Sequence, residues 1–368
     1  MGLYIGLMSG TSADGIDAAL VDFSHASSPQ LIATYYKPYP RALRDEILAL
    51  CEESQNEIQR MAKLDVALGK AFAQTVNELL QQQTLSANAI QAIGSHGQTI
   101  RHYPHEHFTL QIGDPNIIAA ETGIMTIADF RRKDMALGGQ GAPLVPAFHH
   151  YLFASINHHR AIVNIGGMAN VTLLSQKNKD AIIGFDTGPG NTLLDAWIEK
   201  HRNLLFDAQG AWAESGKIQI DLLNHLLADH YFQLPPPKST GREYFNLKWL
   251  ETYLQKLTQN IAPQDVQATL VELTTHSIIK AISNHFNEGD IVVCGGGTQN
   301  NFLMRRLQAM APPAFVVTST QQFGIDPAWI EAMAFAWLAQ QTVHKQSGNV
   351  PSVTGAAKKA ILGGIYYG

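Results

Sequence analysis

The stretch Gly6-Leu-Met-Ser-Gly-Thr-Ser-Ala-Asp-Gly-Ile-Asp17 decides how the chain begins to fold. An apolar run, Leu3 to Met8, leads into it, and a second run rich in β-forming residues, Ile16 to Phe23, leaves it. Two such runs joined by a short polar turn predict a β-hairpin. Gly10 and Gly15 allow the backbone to turn sharply and to come close to a ligand.

The tip of this hairpin carries side chains that suit phosphate and a divalent cation. Ser9, Thr11 and Ser12 add hydroxyl groups to the backbone N–H groups, and both kinds of donor hold phosphate oxygens. Asp14 and Asp17 supply carboxylates for Mg²⁺, directly or through its waters. An ordinary hairpin turn with solvated aspartates explains the same residues equally well. The rest of the chain has to decide between the two.

The composition is that of an ordinary globular protein, with 45% hydrophobic and 15% charged residues. A chain of 368 residues predicts two domains. The net charge of −5 and the lack of a long basic run argue against a nucleic-acid partner. No apolar run approaches the ~20 residues that span a bilayer, and the N-terminus has no secretory pattern. With two cysteines, which fit a reducing compartment, we expect a cytoplasmic protein without a membrane partner.

Hydrophobic periodicity predicts alternating strands and helices in both halves of the chain. The first half is predicted to hold helices at 41–53, 57–83 and 116–121 and strands at 92–96, 108–112 and 124–128, with a polar turn at 97–99 after the first of these strands. The second half is predicted to hold strands at 161–165, 171–174, 181–185, 291–294 and 315–318. It is also predicted to hold four helices: one that ends near 199, one at about 263–285, one that starts near 300 and one at about 327–344. Each half opens with antiparallel strands, which predicts two α/β domains with mixed sheets. We expect the ligand in a cleft between them, at the carboxyl ends of strands.

Two further glycine-rich turns also follow predicted strands. They are Phe185-Asp-Thr-Gly-Pro-Gly-Asn-Thr192 and Val293-Cys-Gly-Gly-Gly-Thr-Gln-Asn300. The first precedes a predicted helix, whose N-terminus offers unpaired N–H groups to phosphate. The glycines of the second let a flat ring lie against the backbone. Together with the hairpin, these turns favour a nucleotide site, although neither a P-loop nor a well-placed GxGxxG is present.

Several motifs resemble those of the anhydro-N-acetylmuramic acid kinase family. They are 8–17 (MSGTSADGID), 95–99 (SHGQT), 129–131 (DFR), 164–170 (NIGGMAN), 185–191 (FDTGPGN), 235–243 (PPPKSTGRE), 294–297 (CGGG) and 353–356 (VTGA). The match runs in order from residue 2 to the end, without a departure at any position that we expect to be catalytic. The resemblance implies a two-domain sugar kinase/Hsp70/actin-like (ribonuclease H-like) α/β fold with an active-site cleft between the domains. It places the phosphate hairpin and part of the sugar site in residues 1–128 plus about 346–368, and the catalytic aspartate and adenosine site in residues 129–345.

The resemblance also implies a reaction. ATP would phosphorylate O6 of 1,6-anhydro-N-acetylmuramic acid while water opens the anhydro bridge at C1. The products would be N-acetylmuramic acid 6-phosphate and ADP, within peptidoglycan recycling and amino-sugar degradation. ATP and Mg²⁺ are the expected cofactors, and a homodimer is expected from the resemblance and from base rates.

Site residues are expected in three groups. For the nucleotide they are Gly10, Thr11, Ser12, Ala13, Asp14, Gly15, Ile16, Asp17, Gly167, Gly188, Gly190, Asn191, Gly295, Gly296, Gly297 and Asn300, with Asp14 and Asp17 also as Mg²⁺ ligands. For the sugar they are His96, Thr99, Asp114, Asp129 and Arg131, since an arginine can clamp a carboxylate through two hydrogen bonds. The catalytic pair is Asp186 and Glu331.

By the resemblance, Asp186 is the general base on the attacking water. Water attacks an acetal carbon poorly, so a carboxylate on a rigid strand has to orient and deprotonate it. A helix N-cap is the competing explanation, but Asp186 lies too far before the helix that begins at Asn191. Glu331 lies in a nearly wholly apolar helix, and it is expected to point into the cleft and position the water beside Asp186. Its competing explanation is a favourable charge near a helix N-terminus.

Three other readings stay open at this stage. A kinase of the same superfamily could phosphorylate a hydroxyl without opening a ring. A glycosidase could use Asp186 and Glu331 as paired carboxylates. An ATP-gated binding module, like actin or the Hsp70 ATPase, belongs to a different functional class.

Overall fold

A computed structural model describes residues 2–25, 29–177, 181–257 and 259–368. Its strands are β1 (Leu3–Ser9), β2 (Gly15–Asp22), β3 (Gln30–Pro38), β4 (Ile90–Tyr103), β5 (Phe108–Ile112), β6 (Thr126–Ala128), β7 (Arg160–Ile165), β8 (Met168–Leu174), β9 (Ile182–Pro189), β10 (Gly289–Cys294), β11 (Phe315–Ser319) and β12 (Gly364–Tyr366). Its α-helices are α1 (Arg41–Leu50), α2 (Glu57–Gln82), α3 (Pro115–Thr122), α4 (Phe130–Met135), α5 (Pro146–Phe153), α6 (Thr192–Arg202), α7 (Ala211–Glu214), α8 (Ile220–Leu227), α9 (Leu247–Leu254), α10 (Pro263–Ser283), α11 (Asn301–Met310), α12 (Ile330–Val343) and α13 (Pro351–Thr354).

The chain forms two compact units, Met1–Phe148 with Trp329–Gly368, and His149–Ala328. Each unit contains one mixed sheet. The predicted mixed α/β class with two sheets is therefore confirmed. In the part of the chain that the structure describes, no helix is long and apolar enough to cross a membrane.

The sheet of the first unit has the strand order β12-β6-β4-β1-β2-β3, with β5 paired to β4. β1 and β2 form the predicted hairpin, antiparallel with Met8 opposite Asp17, and β1 runs parallel to β4. Alternate side chains of β1 point to opposite faces of the sheet. Ile5 and Leu7 belong to the core that Phe72 of α2 also fills. The intervening Gly6 therefore lies on the other face.

α12 packs on that other face because two neighbouring strands lack side chains there. Gly6 and Gly94 are partners in the β1–β4 register. A Cβ atom on Gly6 would collide with the carbonyl oxygen of Ala332, and one on Gly94 with that of Phe335. The helix is buried on nearly all sides, as its apolar sequence predicts. This close approach fixes the first turn of α12, which carries Glu331.

The position of α12 changes the expected domain boundaries. The sequence-based division assigned 129–345 to the second domain, and thus included this helix. In the structure, 129–148 and 329–345 belong to the first unit: α4 packs against β5, and α12 packs against β1, β2 and β4. An apolar helix by itself does not reveal which sheet it covers, so the sequence could not place this boundary.

The sheet of the second unit has the order β11-β10-β7-β8-β9. β7, β10 and β11 are parallel, whereas β8 and β9 continue antiparallel from β7. Cys294 pairs with Asn164, so the carboxyl ends of β10 and β7 lie side by side. α10 packs against β8 and β9 and contributes many side chains to the core of this unit.

Two segments predicted as turns are strand in the structure. The stretch 97–99 lies inside β4, which continues to Tyr103 because β5 pairs with its second half. The stretch 186–189 lies inside β9, which pairs with β8 as far as Pro189. Glycine and polar residues suggested turns here, but pairing with a neighbouring strand decided the conformation.

Candidate active site

The turn between β1 and β2 is held at both ends by hydrogen bonds. Nε2 of Gln98 donates to the carbonyl oxygen of Gly10 at 3.2 Å. The carbonyl oxygen of Asp14 accepts from the backbone N–H of Tyr39 at 2.9 Å and from the hydroxyl of Tyr36 at 3.1 Å. These contacts fix the path of the turn before any ligand is present.

The predicted nucleotide-binding residues of this turn differ in exposure. Thr11 and Asp14 are exposed, Gly10, Ser12 and Asp17 are half-buried, and Ala13, Gly15 and Ile16 are buried. The hydroxyl of Ser9 was also predicted to help hold phosphate, but it is buried and used internally. It donates to Oε1 of Gln98 at 2.6 Å and accepts from the hydroxyl of Tyr39 at 3.0 Å.

Two further carboxylates of the first unit act on Asp17. Burial, together with the negative charges of Asp14 and Glu331, raises the pKa of Asp17 to about 7. A bound cation would relieve this repulsion. Among the described residues, however, no group of three or more histidine, cysteine or acidic side chains is placed to hold a metal ion. A cation here would therefore need ligands besides these carboxylates.

His96 and Arg131, two of the predicted sugar-binding residues, lie together. Nε and Nη2 of Arg131 lie 3.1 and 3.0 Å from Nε2 of His96, and Nη1 donates to the carbonyl oxygen of Gly141 at 2.8 Å. Burial and the nearby guanidinium of Arg131 together lower the pKa of His96 to about 3. The imidazole is therefore neutral, and Nε2 accepts the arginine's hydrogen bonds while Nδ1 donates to the carbonyl oxygen of Gly97 at 2.9 Å.

The other predicted sugar residues have local partners. Oγ1 of Thr99 accepts from Nε2 of Gln111 at 3.1 Å. Asp114 caps α3 by accepting from the N–H of Asn116 at 2.8 Å, and Asp129 pairs with Arg132 at 2.6 Å. Helix capping and an ion pair account for these two aspartates, so their roles toward a sugar stay predictions.

Asp186 of the second unit is half-buried on β9 and is held by a neighbouring segment. Its N–H donates to the carbonyl oxygen of Lys238 at 3.1 Å, and its carbonyl oxygen accepts from the hydroxyl of Tyr231 at 2.7 Å. Oδ2 of its carboxylate accepts from the N–H of Thr240 at 2.9 Å. The carboxylate thus has a defined orientation, which a general base needs.

Sequence reasoning did not find these supporting contacts. In the sequence, the 235–243 stretch carries only a family motif, and no pattern marks Tyr231. The proline run that separates two helices was a signal that a loop with a fixed path lies there. Its pairing with β9 could not be read from the sequence.

The backbone groups near the carboxyl end of β7 form hydrogen bonds with one another. The N–H groups of Gly190 and Thr192 donate to the carbonyl oxygen of Gly167 at 2.9 and 3.0 Å, and that of Asn191 donates to Gly166 at 2.8 Å. We expected unpaired N–H groups at the start of this helix as a phosphate site. At Thr192, the first residue of α6, the structure differs, because the turn after β7 already accepts this hydrogen bond.

The third glycine turn lies against the same strand end. Cβ atoms on Gly295 and Gly297 would collide with Asn164 and Ile165 respectively, so the turn packs directly on β7. Gly296 is exposed, with no atom within 4 Å of the position that a Cβ would take. Asn300 caps α11 by accepting from the N–H of Leu303 at 3.0 Å. The exposed backbone at Gly296 is the part of this turn that a flat ring can approach.

A strand-borne carboxylate, glycine turns at the carboxyl ends of parallel strands and an acidic hairpin turn are together typical of an α/β phosphotransferase. Comparison with known proteins identifies a family within this class. The model of the anhydro-N-acetylmuramic acid kinase family matches residues 2–368. Anhydro-N-acetylmuramic acid kinase of Coxiella burnetii is 54% identical, with 99% of this chain and 97% of the relative covered. Those of Saccharophagus degradans and Shewanella baltica are 54% and 53% identical, each with 99% of this chain and 98% of the relative covered.

The chain belongs to the anhydro-N-acetylmuramic acid kinase family. The predicted family and the predicted enzyme class, a kinase, are both confirmed. Among solved structures, the activator of 2-hydroxyisocaproyl-CoA dehydratase from Clostridium difficile aligns with a TM-score of 0.47 at 11% identity, covering 91% of this chain and 92% of that one. A ROK family glucokinase from Streptomyces griseus aligns with a TM-score of 0.43 at 13% identity, covering 92% of this chain and 100% of that one.

Proposed function

We propose that this kinase opens the 1,6-anhydro bridge of 1,6-anhydro-N-acetylmuramic acid and transfers the γ-phosphoryl group of ATP to O6. The products are N-acetylmuramic acid 6-phosphate and ADP. The observation that carries this proposal is the fixed carboxylate of Asp186, in a chain that matches the family over its whole length. A kinase that phosphorylates a free hydroxyl also uses a carboxylate base, but toward that hydroxyl instead of water, so the match to the family favours the ring-opening reaction.

Asp186 is the general base in the proposed reaction. It takes a proton from water as the water oxygen bonds to C1 and the C1–O6 bond breaks. The electron pair of that bond stays on O6, which attacks the γ-phosphorus as the bond to the ADP oxygen breaks. An oriented base contributes about 10²–10⁴-fold to such a step. We also propose that Glu331 helps to position the water, as predicted from the sequence.

The hairpin turn from Gly10 to Asp17 is the proposed site for the phosphates of ATP. Mg²⁺ fits this turn because Asp17 and Asp14 offer carboxylate oxygens whose mutual repulsion a cation reduces. Mg²⁺ commonly keeps waters and phosphate oxygens as ligands, which suits a site with too few protein ligands of its own. When bound, it would neutralise charge on the phosphoryl oxygens. In the second unit, the exposed turn at Gly296 is the proposed place for the adenine ring.

Arg131 and His96 are the proposed contacts for the sugar. The guanidinium suits the lactyl carboxylate, and the neutral His96 holds it in place. Thr99, Asp114 and Asp129 are further candidates for the sugar hydroxyls. We place the reaction in the cytoplasm, within peptidoglycan recycling and amino-sugar degradation, and propose a homodimer.

The mass of the product tests this function. The purified protein is incubated with 1,6-anhydro-N-acetylmuramic acid, ATP and Mg²⁺, and the sugar product is weighed by mass spectrometry. The expected gain is one HPO₃ plus one water, with one ADP formed per sugar. A gain of HPO₃ alone would identify a kinase that leaves the ring closed, and a gain of water without ATP would identify a glycosidase. Either of these results would overturn the proposal.

A further inference from the structure

We propose that Tyr231 is a positioning residue for Asp186, an inference that rests on the proposed role of Asp186 as the base. Its hydroxyl holds the main chain of Asp186 in register with the 238–240 segment, whose backbone in turn fixes the Asp186 carboxylate. Neither the family motifs nor the reaction chemistry requires a tyrosine at this position. The argument comes from where β9 lies and from what holds Tyr231.

β9 is the outer strand of its sheet, so one of its edges has no strand partner among the described residues. Its other edge pairs with β8, with Asp186 opposite Asn170. In a strand, the N–H and C=O of one residue point to the same edge. At Asp186 both groups meet the 231–240 segment, through the carbonyl oxygen of Lys238 and the hydroxyl of Tyr231. At Asp186, the 231–240 segment therefore provides the hydrogen-bond partners that a further strand would provide. Asp186 is the residue of β9 whose position the proposed reaction requires to be fixed.

Tyr231 is itself held at every polar atom. Its N–H donates to Oδ1 of Asp229 at 2.8 Å, and its carbonyl oxygen accepts from Nζ of Lys238 at 3.1 Å. The side chain is buried, and its ring packs edge-on against Phe245 with the ring centres 5.3 Å apart. Burial raises the pKa of Tyr231, so the hydroxyl keeps its proton and acts as a donor. Because this donor is fixed, its hydrogen bond also fixes the carbonyl oxygen of Asp186.

Asp229 anchors the arrangement. In addition to the N–H of Tyr231, it accepts from Nε1 of Trp249 at 2.9 Å and from the hydroxyls of Tyr244 and Tyr253 at 2.8 and 2.7 Å. Burial alone would raise the pKa of Asp229, but these hydrogen bonds outweigh it and lower the pKa overall. The carboxylate therefore stays ionised and keeps its donors. Its many contacts also supply a control for the experiment.

Tyr231→Phe and Tyr253→Phe make a matched pair. Each removes one phenol hydroxyl that donates at 2.7 Å, the first to Asp186 and the second to Asp229. We expect Tyr231→Phe to lower kcat by about tenfold or more with the KM for ATP unchanged, because small displacements of a catalytic group are costly. Tyr253→Phe should keep kcat within about twofold while losing at least as much thermal stability, since it leaves a buried carboxylate short of a donor. Equal kcat values for the two variants would overturn the inference.

Asp186→Asn separates the failure of this inference from the failure of the proposed function. It should abolish turnover and leave ATP binding, measured by calorimetry, unchanged. If Asp186→Asn retains near-normal kcat, the base lies elsewhere, and both the proposed role of Asp186 and the role of Tyr231 are wrong. If Asp186→Asn is inactive but Tyr231→Phe behaves like Tyr253→Phe, only the positioning role is wrong.

Discussion

Asp17 and Asp186 are both half-buried aspartates on strands, but their surroundings are opposite in character. Asp17 shares its region with two further negative charges, Asp14 and Glu331, and its pKa is raised to about 7 by burial and by those charges. Asp186 instead receives a backbone hydrogen bond on its carboxylate and is fixed at its N–H and C=O. The first arrangement is unfavourable until a cation binds, whereas the second orients a single carboxylate without needing one.

This difference supports the separate roles that we propose for the two units. A region that gains from added positive charge suits a Mg²⁺–phosphate group. A carboxylate with a fixed direction suits proton removal from a bound water. The comparison can be tested on the first region by changing its packing and its charge.

Among the substitutions in the hairpin, Gly15→Ala should reduce stability most, because there is no space for the new methyl group. A Cβ at Gly15 would lie 2.5 Å from both the ring of Tyr36 and the carbonyl oxygen of Lys37. Since Tyr36 also holds Asp14, we expect the free energy of unfolding to fall by about 1–3 kcal/mol, as for other overpacked sites. Urea denaturation followed by circular dichroism measures this.

Gly10→Ala is the matched control on the same turn. The atom nearest to a Cβ there is Oγ of Ser12 at 4.0 Å, so the methyl group meets no obstacle. Stability should change by less than about 0.5 kcal/mol, while the KM for ATP should rise if phosphate approaches the backbone of Gly10. Equal destabilisation by the two substitutions would show that the turn is not packed as described.

Asp17→Asn should have a smaller effect that depends on pH. The pKa of Asp17 is raised from an ordinary value near 4 to about 7 in the folded protein, so the folded state binds this proton more tightly than the unfolded state. The cost of ionising Asp17 is therefore absent below about pH 4, grows as pH rises, and is complete above about pH 7. Discounted for partial exposure, we expect the variant to gain about 1–2 kcal/mol over the wild type at pH 8 and nothing at pH 4.

Asp22→Asn provides a control of opposite sign, and both variants are measured without nucleotide and with a chelator. The pKa of Asp22 is lowered by hydrogen bonds from the hydroxyl and N–H of Ser24, so its contribution to stability is present above its unfolded pKa and is lost as pH falls. Removing this carboxylate should therefore reduce stability at pH 8. If Asp17→Asn also reduces stability at pH 8, then burial and the charges of Asp14 and Glu331 do not make ionised Asp17 unfavourable.

The sequence predicted the hairpin and most strands and helices because their periodicity is local. α2, for example, was predicted at 57–83 and spans Glu57–Gln82. The sequence was less informative where the structure depends on pairing between segments that are far apart in the chain. It did not show that Gly6 and Gly94 lie opposite each other in paired strands and leave space for α12. This packing places α12 in the first unit and not in the second.

The same limit applies to the candidate site. Asp186 was identified by its family motif, but the contacts that hold it come from residues 231–240, far along the chain. The helix after β9 looked like a phosphate site because helix N-termini usually have unpaired N–H groups. Here the carbonyl oxygens of Gly166 and Gly167 accept the hydrogen bonds of Asn191 and Thr192 at the start of this helix, and no local pattern encodes that.

The most direct test of the account follows the oxygen of water. The reaction is run with ¹⁸O-labelled water, quenched rapidly, and reduced with borohydride so that the anomeric oxygen cannot exchange. If Asp186 activates water toward the acetal carbon, the label appears at C1 of the sugar, none appears in the phosphoryl group, and the Asp186→Asn variant forms no labelled product. Label in the phosphoryl group, or label at C1 formed at the normal rate by Asp186→Asn, would contradict the account.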